Sequence, residues 1–237
     1  MKTIVFAGPS IFGVERARFD GVEFRPPAAC GDMLSAVGDG ATTIGLIDGY
    51  YGDQVAVWHK EILFALSHGI RVAGAASMGA LRAAECAIFG MVGIGAVYSE
   101  YVSGVRTSDA DVAINHAPEE LGFMPTSIAL VDFEATVERI RPDLTAEEYA
   151  RIINAGRCLH FTKRTWSSVI SEAGADPLLL QKILGHECSV KREDAVQLLV
   201  WLQSQQSPPY REKPHWQFQN TAFFDRLFAA KQPRRSG

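Results

Sequence analysis

Apolar residues in the first half of the chain fall in short runs, each closed by turn residues. Thr3 to Ala7 ends in Gly8-Pro9-Ser10, Thr43 to Ile47 in Asp48-Gly49-Tyr50, and Ile70 to Ala75 at Ser77-Met78-Gly79. Runs of this length bounded by Gly, Pro, Asp and Ser read as strands. A minor strand is expected at Val22 to Arg25, before Pro26-Pro27. Between the runs, helices are predicted over 10–17, 31–38 and 54–68. This alternation predicts an α/β fold, a small Rossmann-like parallel sheet of three or four strands with flanking helices. After about residue 95 helical periodicity takes over. A helix is predicted over 126–140, and Thr145 to Glu148 reads as a capping box for the next. Asp176-Pro177 precedes LLLQKIL with Gly185 as a stop, and Glu193 to Gln203 is amphipathic. Two units are therefore expected, an α/β core over 1–125 and a mainly helical domain over 126–237. Ser207-Pro208-Pro209 reads as a break and Gln232 to Gly237 as a frayed end.

In an open parallel sheet, ligands bind beyond the carboxyl ends of the strands. Ser10, Asp48 and Ser77 all follow strand ends, so they should share one rim. Ser77 is the most informative of them. It sits where a strand turns sharply into an Ala-rich helix, facing amides that have no intrahelical acceptor and a dipole that favours negative charge. Ala75-Ala76-Ser77-Met78-Gly79 is similar to the nucleophile elbow G-x-S-x-G, with Ala75 in place of the first glycine. The plainer role is that of a helix N-cap, which spacing alone favours.

Other polar groups compete for the same rim. Trp58-His59-Lys60-Glu61 opens a predicted helix, and residues about 100° apart cannot all face one site. One or two of His59, Lys60 and Glu61 should point at the rim, while Trp58, Ile62 and Leu66 should pack on the sheet. Lys60 is either a solvated surface lysine or a neighbour of Ser77. Arg82 either pairs with Glu85 or binds an anion. Tyr98 to Tyr101, Asp109-Ala110-Asp111 and Asn115-His116 are weaker candidates.

Composition narrows the function classes. The 237 residues are 47% hydrophobic and 21% charged, as in ordinary globular proteins. A net charge of −4 gives no general attraction to nucleic acid or anionic lipid. No apolar run approaches the roughly 20 residues of a membrane span, and the start leads into a strand pattern, not a signal peptide. The four cysteines lack a C-x-x-C pair and read as free thiols of a reducing, cytoplasmic compartment. The six histidines lack ligand spacing, so neither a metal nor a cofactor is expected. Gly8-Pro9-Ser10 lacks G-x-G-x-x-G and no Walker lysine follows, which disfavours nucleotide binding.

Several blocks in order carry a more specific signal: GPS (8–10), RPPAACGD (25–32), IGLIDGYYGDQVAVWHKEILFALSHGIRV (44–72), GAASMGALRAAE (74–85), FGMVGIG (89–95) and DADVAINHAPEELGFMP (109–125). Together they resemble the TfuA-like proteins over about the first 140 residues, and KREDAVQLL (191–199) is similar in kind. Asp132 stands where an Asn is common in that family. The resemblance implies a companion of YcaO enzymes in peptide-backbone thioamide formation, a post-translational modification in peptide natural product biosynthesis. It implies hydrolysis of the C-terminal thiocarboxylate of a ThiS-like sulfur-carrier protein, which releases sulfide for the YcaO partner and its precursor peptide. In that role Ser77 is the nucleophile, or a hydrogen-bond donor to an attacking water. Lys60 or His59 is its base, oriented by Asp48. Backbone amides of Met78 and Gly79 receive the oxyanion, with Arg82 and Ser10 binding the substrate anion. The rival is a non-catalytic adaptor that binds the carrier or supports a YcaO enzyme.

Overall fold

The computed structural model describes residues 1–52, 54–205 and 215–231. The expected break at 207–209 and frayed end at 232–237 lie outside the described residues. Five parallel strands form the sheet: β1 (Thr3–Phe6), β2 (Val22–Arg25), β3 (Thr43–Leu46), β4 (Arg71–Ala75) and β5 (Val92–Ile94). Their order is β2-β1-β3-β4-β5, so the winding direction reverses between β1 and β3. The α/β expectation holds, with one strand more than predicted. Val92-Gly93-Ile94 is too short to leave a recognisable apolar run.

Side chains alternate between the two faces of a strand. Ile4, Ile44 and Val72 lie in register across the sheet. They pack in a core with α1 (Asp32–Gly38), α2 (His59–Ser67) and the inner side of α3 (Met78–Cys86). Val5 and Ala73 face the other way, against Ala195, Leu198, Leu199 and Leu202 of α9 (Val190–Ser204). Those four residues follow the i, i+3, i+4, i+7 spacing of one helical face. Each fully buried leucine among them is worth about 1.5–3 kcal/mol. α9 thus covers the sheet and carries its own first turn to the carboxyl ends of the strands.

The sequence boundaries shift in places. Residues 10–17 do not form one helix. Pro9–Ile11 and Arg16–Arg18 are separate single turns, broken by Gly13 at φ 78°. α2 begins at His59, not at 54, because the Glu61 carboxylate accepts hydrogen bonds from the amides of Trp58 (3.0 Å) and Gly31 (2.7 Å). Trp58 is consequently the residue before the helix and is 37% exposed, not packed on the sheet. Burial pushes the Glu61 carboxyl up to about 7, against the pull of those two amides.

α4 (Ala96–Val102) follows β5. The later helices are α5 (Leu130–Ile140), α6 (Ala146–Cys158), α7 (Trp166–Glu172), α8 (Leu179–His186) and, after α9, α10 (Ala222–Lys231). The Thr145–Glu148 capping box forms as expected. α5 starts later than predicted because the Ile128 amide is committed to the Arg164 carbonyl. Gly185 lies within α8 and does not end it. Phe133, Val137, Ile152, Trp166, Val169 and Ile183 give α5–α8 a core of their own.

Candidate functional site

The β4–α3 turn is built on close contact. A Cβ at Gly79 would lie 1.8 Å from the Leu46 carbonyl oxygen, and one at Gly74 would lie 2.1 Å from the Gly79 carbonyl. These glycines press α3 onto β3 and β4; they are not reserved for an incoming chain. To make the corner, Ala76 takes φ 68°, which costs an ordinary residue about 1–2 kcal/mol. Backbone outliers of this kind concentrate at functional sites. Ser77 follows, with its amide bonded to the Ala75 carbonyl at 2.8 Å. Its hydroxyl makes no cap hydrogen bond to α3. Although Ser77 holds the N-cap position, the capping role that spacing favoured is absent.

Ser77 instead lines a cavity of about 540 Å³ at the carboxyl ends of β3 and β4. Asp48 lies in the same wall, 2% exposed. Its Oδ2 accepts from the amides of Gly8 (2.8 Å) and Ser10 (3.0 Å), and its Oδ1 accepts from the Ser10 hydroxyl (2.6 Å). The carboxylate therefore ties the end of β1 to the end of β3, across the point where the winding reverses. Opposite stands Lys191, only 2% exposed, from the first turn of α9. Its Nζ donates to the Val112 carbonyl at 2.7 Å. Burial pushes the Lys191 amine below the usual lysine range, while the charges of Asp48 and Asp132 work the other way. Asp132 fixes this turn by accepting from the Ser189 hydroxyl (2.9 Å) and the Lys191 amide (3.1 Å). Burial raises the Asp132 carboxyl against those partners and the Lys191 charge. The outer part of the cavity is aromatic, with Tyr50, Tyr51 and Phe161.

Ser10, Asp48 and Ser77 do share one rim, as the topology implied. The other candidates do not join them. The Lys60 ammonium donates to the Gln219 carbonyl and stands 5.6 Å from the centre of the Phe218 ring. His59 is paired with Glu85 at 2.7 Å. Arg82 donates to the Val57 carbonyl (3.0 Å) and to Glu85 (2.7 Å). Burial opposes ionisation of Glu85, but hydrogen bonds from His59 and Arg82 hold its carboxyl below the usual range. His59, Glu85 and Arg82 clamp α2 to α3 outside the cavity, because the late start of α2 turns its first residues away from the strand ends. The Gly79 amide is spent on the Ile47 carbonyl (3.1 Å), leaving Met78 as the amide of the first turn that donates to no backbone carbonyl among the described residues. Of the weaker candidates, Asp109, Asn115 and His116 line the cavity. Asp111 and Glu100 are instead held by Arg106.

Residues 48–165 match the family model described as TfuA-like protein. Over that stretch the chain belongs to the TfuA-like family. No curated protein matches it. Within the TfuA-like span fall Asp48, Ser77 and Met78, together with the aromatic mouth. Ser10 and Lys191, which complete the rim, lie outside it on either side.

Lys191 is the residue that sequence reasoning missed. It is the one Lys or Arg in the wall of this TfuA-like cavity among the described residues. The signal lay in KREDAVQLL, which carries an amphipathic face and begins with that lysine. A surface helix normally solvates its lysines, so only the packing of α9 across the sheet reveals that this one is interior. Among the described residues no cluster of His, Cys, Asp and Glu is placed to hold a metal ion, and no helix is long and apolar enough to cross a membrane.

Proposed function

We propose that this TfuA-like protein hydrolyses the C-terminal thiocarboxylate of a small sulfur-carrier protein of the ThiS type and so supplies sulfide to a YcaO enzyme. The observation that carries the reading is that Ser77, whose hydroxyl makes no cap hydrogen bond, and the buried Lys191 line one cavity. A thiocarboxylate is anionic and delocalised, hence a poor electrophile. Attack on it builds a second negative charge, so the site must supply positive charge as the reaction proceeds. A lysine whose amine is favoured by burial does this by taking a proton at that moment. Neutral Lys191 accepts the Ser77 proton as Oγ bonds to the thiocarboxyl carbon. The resulting ammonium and the Met78 amide face the charged intermediate. When the C–S bond breaks, Lys191 returns the proton to sulfur and hydrosulfide leaves. Water then hydrolyses the ester, giving the carrier carboxylate and free Ser77. Asp48 takes no proton in this scheme; it holds the loops after β1 and β3 in place. The volume of the cavity suits an extended glycine-rich tail.

The test is to mix purified protein with thiocarboxylated carrier and no YcaO enzyme, and to measure free sulfide. Sulfide release supports the hydrolase. Sulfide that appears only once the YcaO enzyme is added assigns the cavity to docking instead.

A further inference from the structure

Lys191 lines a second cavity, of about 400 Å³, on its other side. The two cavities have Pro9, Ile114 and Lys191 in common, so those three residues form a shared wall. The second one runs past Cys188 and reaches the surface beside Leu184, which is 53% exposed. Its lining takes in Leu184 of α8 and Ile128, Ala129 and Asp132 around the start of α5, and none of Tyr50, Tyr51 and Phe161 lines it.

A substrate that enters as the tail of a folded protein closes the opening it came through. It stays closed after attack, because the ester R–C(=O)–O–Ser77 keeps the carrier attached while hydrosulfide leaves. Deacylation also consumes a water molecule that must reach the same carbon. We propose that the second cavity is the port for these small molecules, passing hydrosulfide out and water in while the carrier occupies the first mouth. This rests on the hydrolase reading above. The balance is simple: R–C(=O)S⁻ and Ser–OH give the ester and HS⁻, and the ester and water give R–COO⁻, a proton and Ser–OH. The dimensions agree, since 400 Å³ holds about a dozen waters but no folded domain. The shared wall suits the traffic, because Lys191, which gives its proton to the departing sulfur, lines both cavities.

Cys188 provides a handle for the test. Methanethiosulfonate reagents of increasing size, methyl then benzyl, would be attached to it in a variant with Cys30 and Cys158 replaced by serine. Sulfide release and the carrier–protein ester would then be followed. Blocking the port should slow turnover severalfold more with benzyl than with methyl, lower KM for the carrier in step so that kcat/KM holds, and make the Ser77 ester accumulate. The variant with Cys188→Ser added should give the same rate with reagent as without. Leu184→Trp, at the exposed rim, should reproduce the effect without any reagent. Unchanged turnover in both the benzyl-labelled protein and Leu184→Trp overturns the port while leaving the hydrolase intact. Slowed turnover without ester accumulation also overturns it. Unlabelled protein that releases no sulfide overturns the hydrolase and the port together.

Discussion

Replacing Lys191 with methionine should move stability and activity in opposite directions. Taking even a neutral amine into a protein interior costs about 1–3 kcal/mol. Its hydrogen bond to the Val112 carbonyl returns about 0.5–1.5 kcal/mol. Methionine keeps an unbranched stem that fills the same channel. Val112 borders the cavity, so water can replace the lost donor. The expected change runs from neutral to a gain of about 2 kcal/mol, a rise in melting temperature of at most about 8 °C for a chain of this size. Sulfide release should nevertheless fall by on the order of 10²–10⁴, the usual contribution of a positioned acid–base group. The pH profile gives a second readout. Below its folded pKa, which lies under the ordinary lysine value, Lys191 is protonated and cannot accept from Ser77. The wild-type rate should therefore climb with pH through that value, and the residual rate of Lys191→Met should not. Thermal melts and sulfide release measured on the same sample decide the matter. A large drop in melting temperature with activity tracking the folded fraction would make Lys191 a structural residue. Undiminished sulfide release would remove it from the chemistry.

Three further outcomes follow from the packing. Glu61 has a folded pKa of about 7 against an unfolded 4.5, so between those values the native state binds more protons and stability falls as pH rises. The effect is on the order of 3 kcal/mol, and Glu61→Gln should flatten the melting temperature between pH 5 and 8; an unchanged slope would refute it. Gly79→Ala should cost about 3 kcal/mol or more in urea unfolding, because the added carbon meets the Leu46 carbonyl, a backbone atom that cannot turn aside. Stability like the wild type would mean that α3 does not press on β3 as described. Lys60→Ala should leave sulfide release intact and lower the melting temperature slightly, since its contacts are with Gln219 and Phe218; a lost activity would return Lys60 to the site.

The parts of this fold that sequence made legible were those with local causes. β1, β3 and β4 are apolar runs with turn residues after them, and the Thr145 capping box is a four-residue pattern. The rim of Ser10, Asp48 and Ser77 followed from topology alone, because parallel strands put their ends on one side. What escaped depended on distant packing. Whether a lysine at the start of an amphipathic helix is solvated or interior is decided by where the helix lies. α9 crosses the sheet of a segment far upstream, which turns Lys191 inward. Lys60 and His59 lie outside the cavity wall for a local reason that is easy to miss. Glu61 caps the amide of Trp58, delays α2 by several residues and redirects its first turn. Arg82 could pair or bind an anion, and the proximity of His59 to Glu85 decided for pairing.

Sulfide released from a thiocarboxylated carrier by the purified protein and by Ser77→Ala, with no partner enzyme present, tests the central claim most directly. Steady release by the wild type and a rate lower by on the order of 10² or more in the variant is the expected result. Equal rates in the two proteins, or none from either, would contradict it.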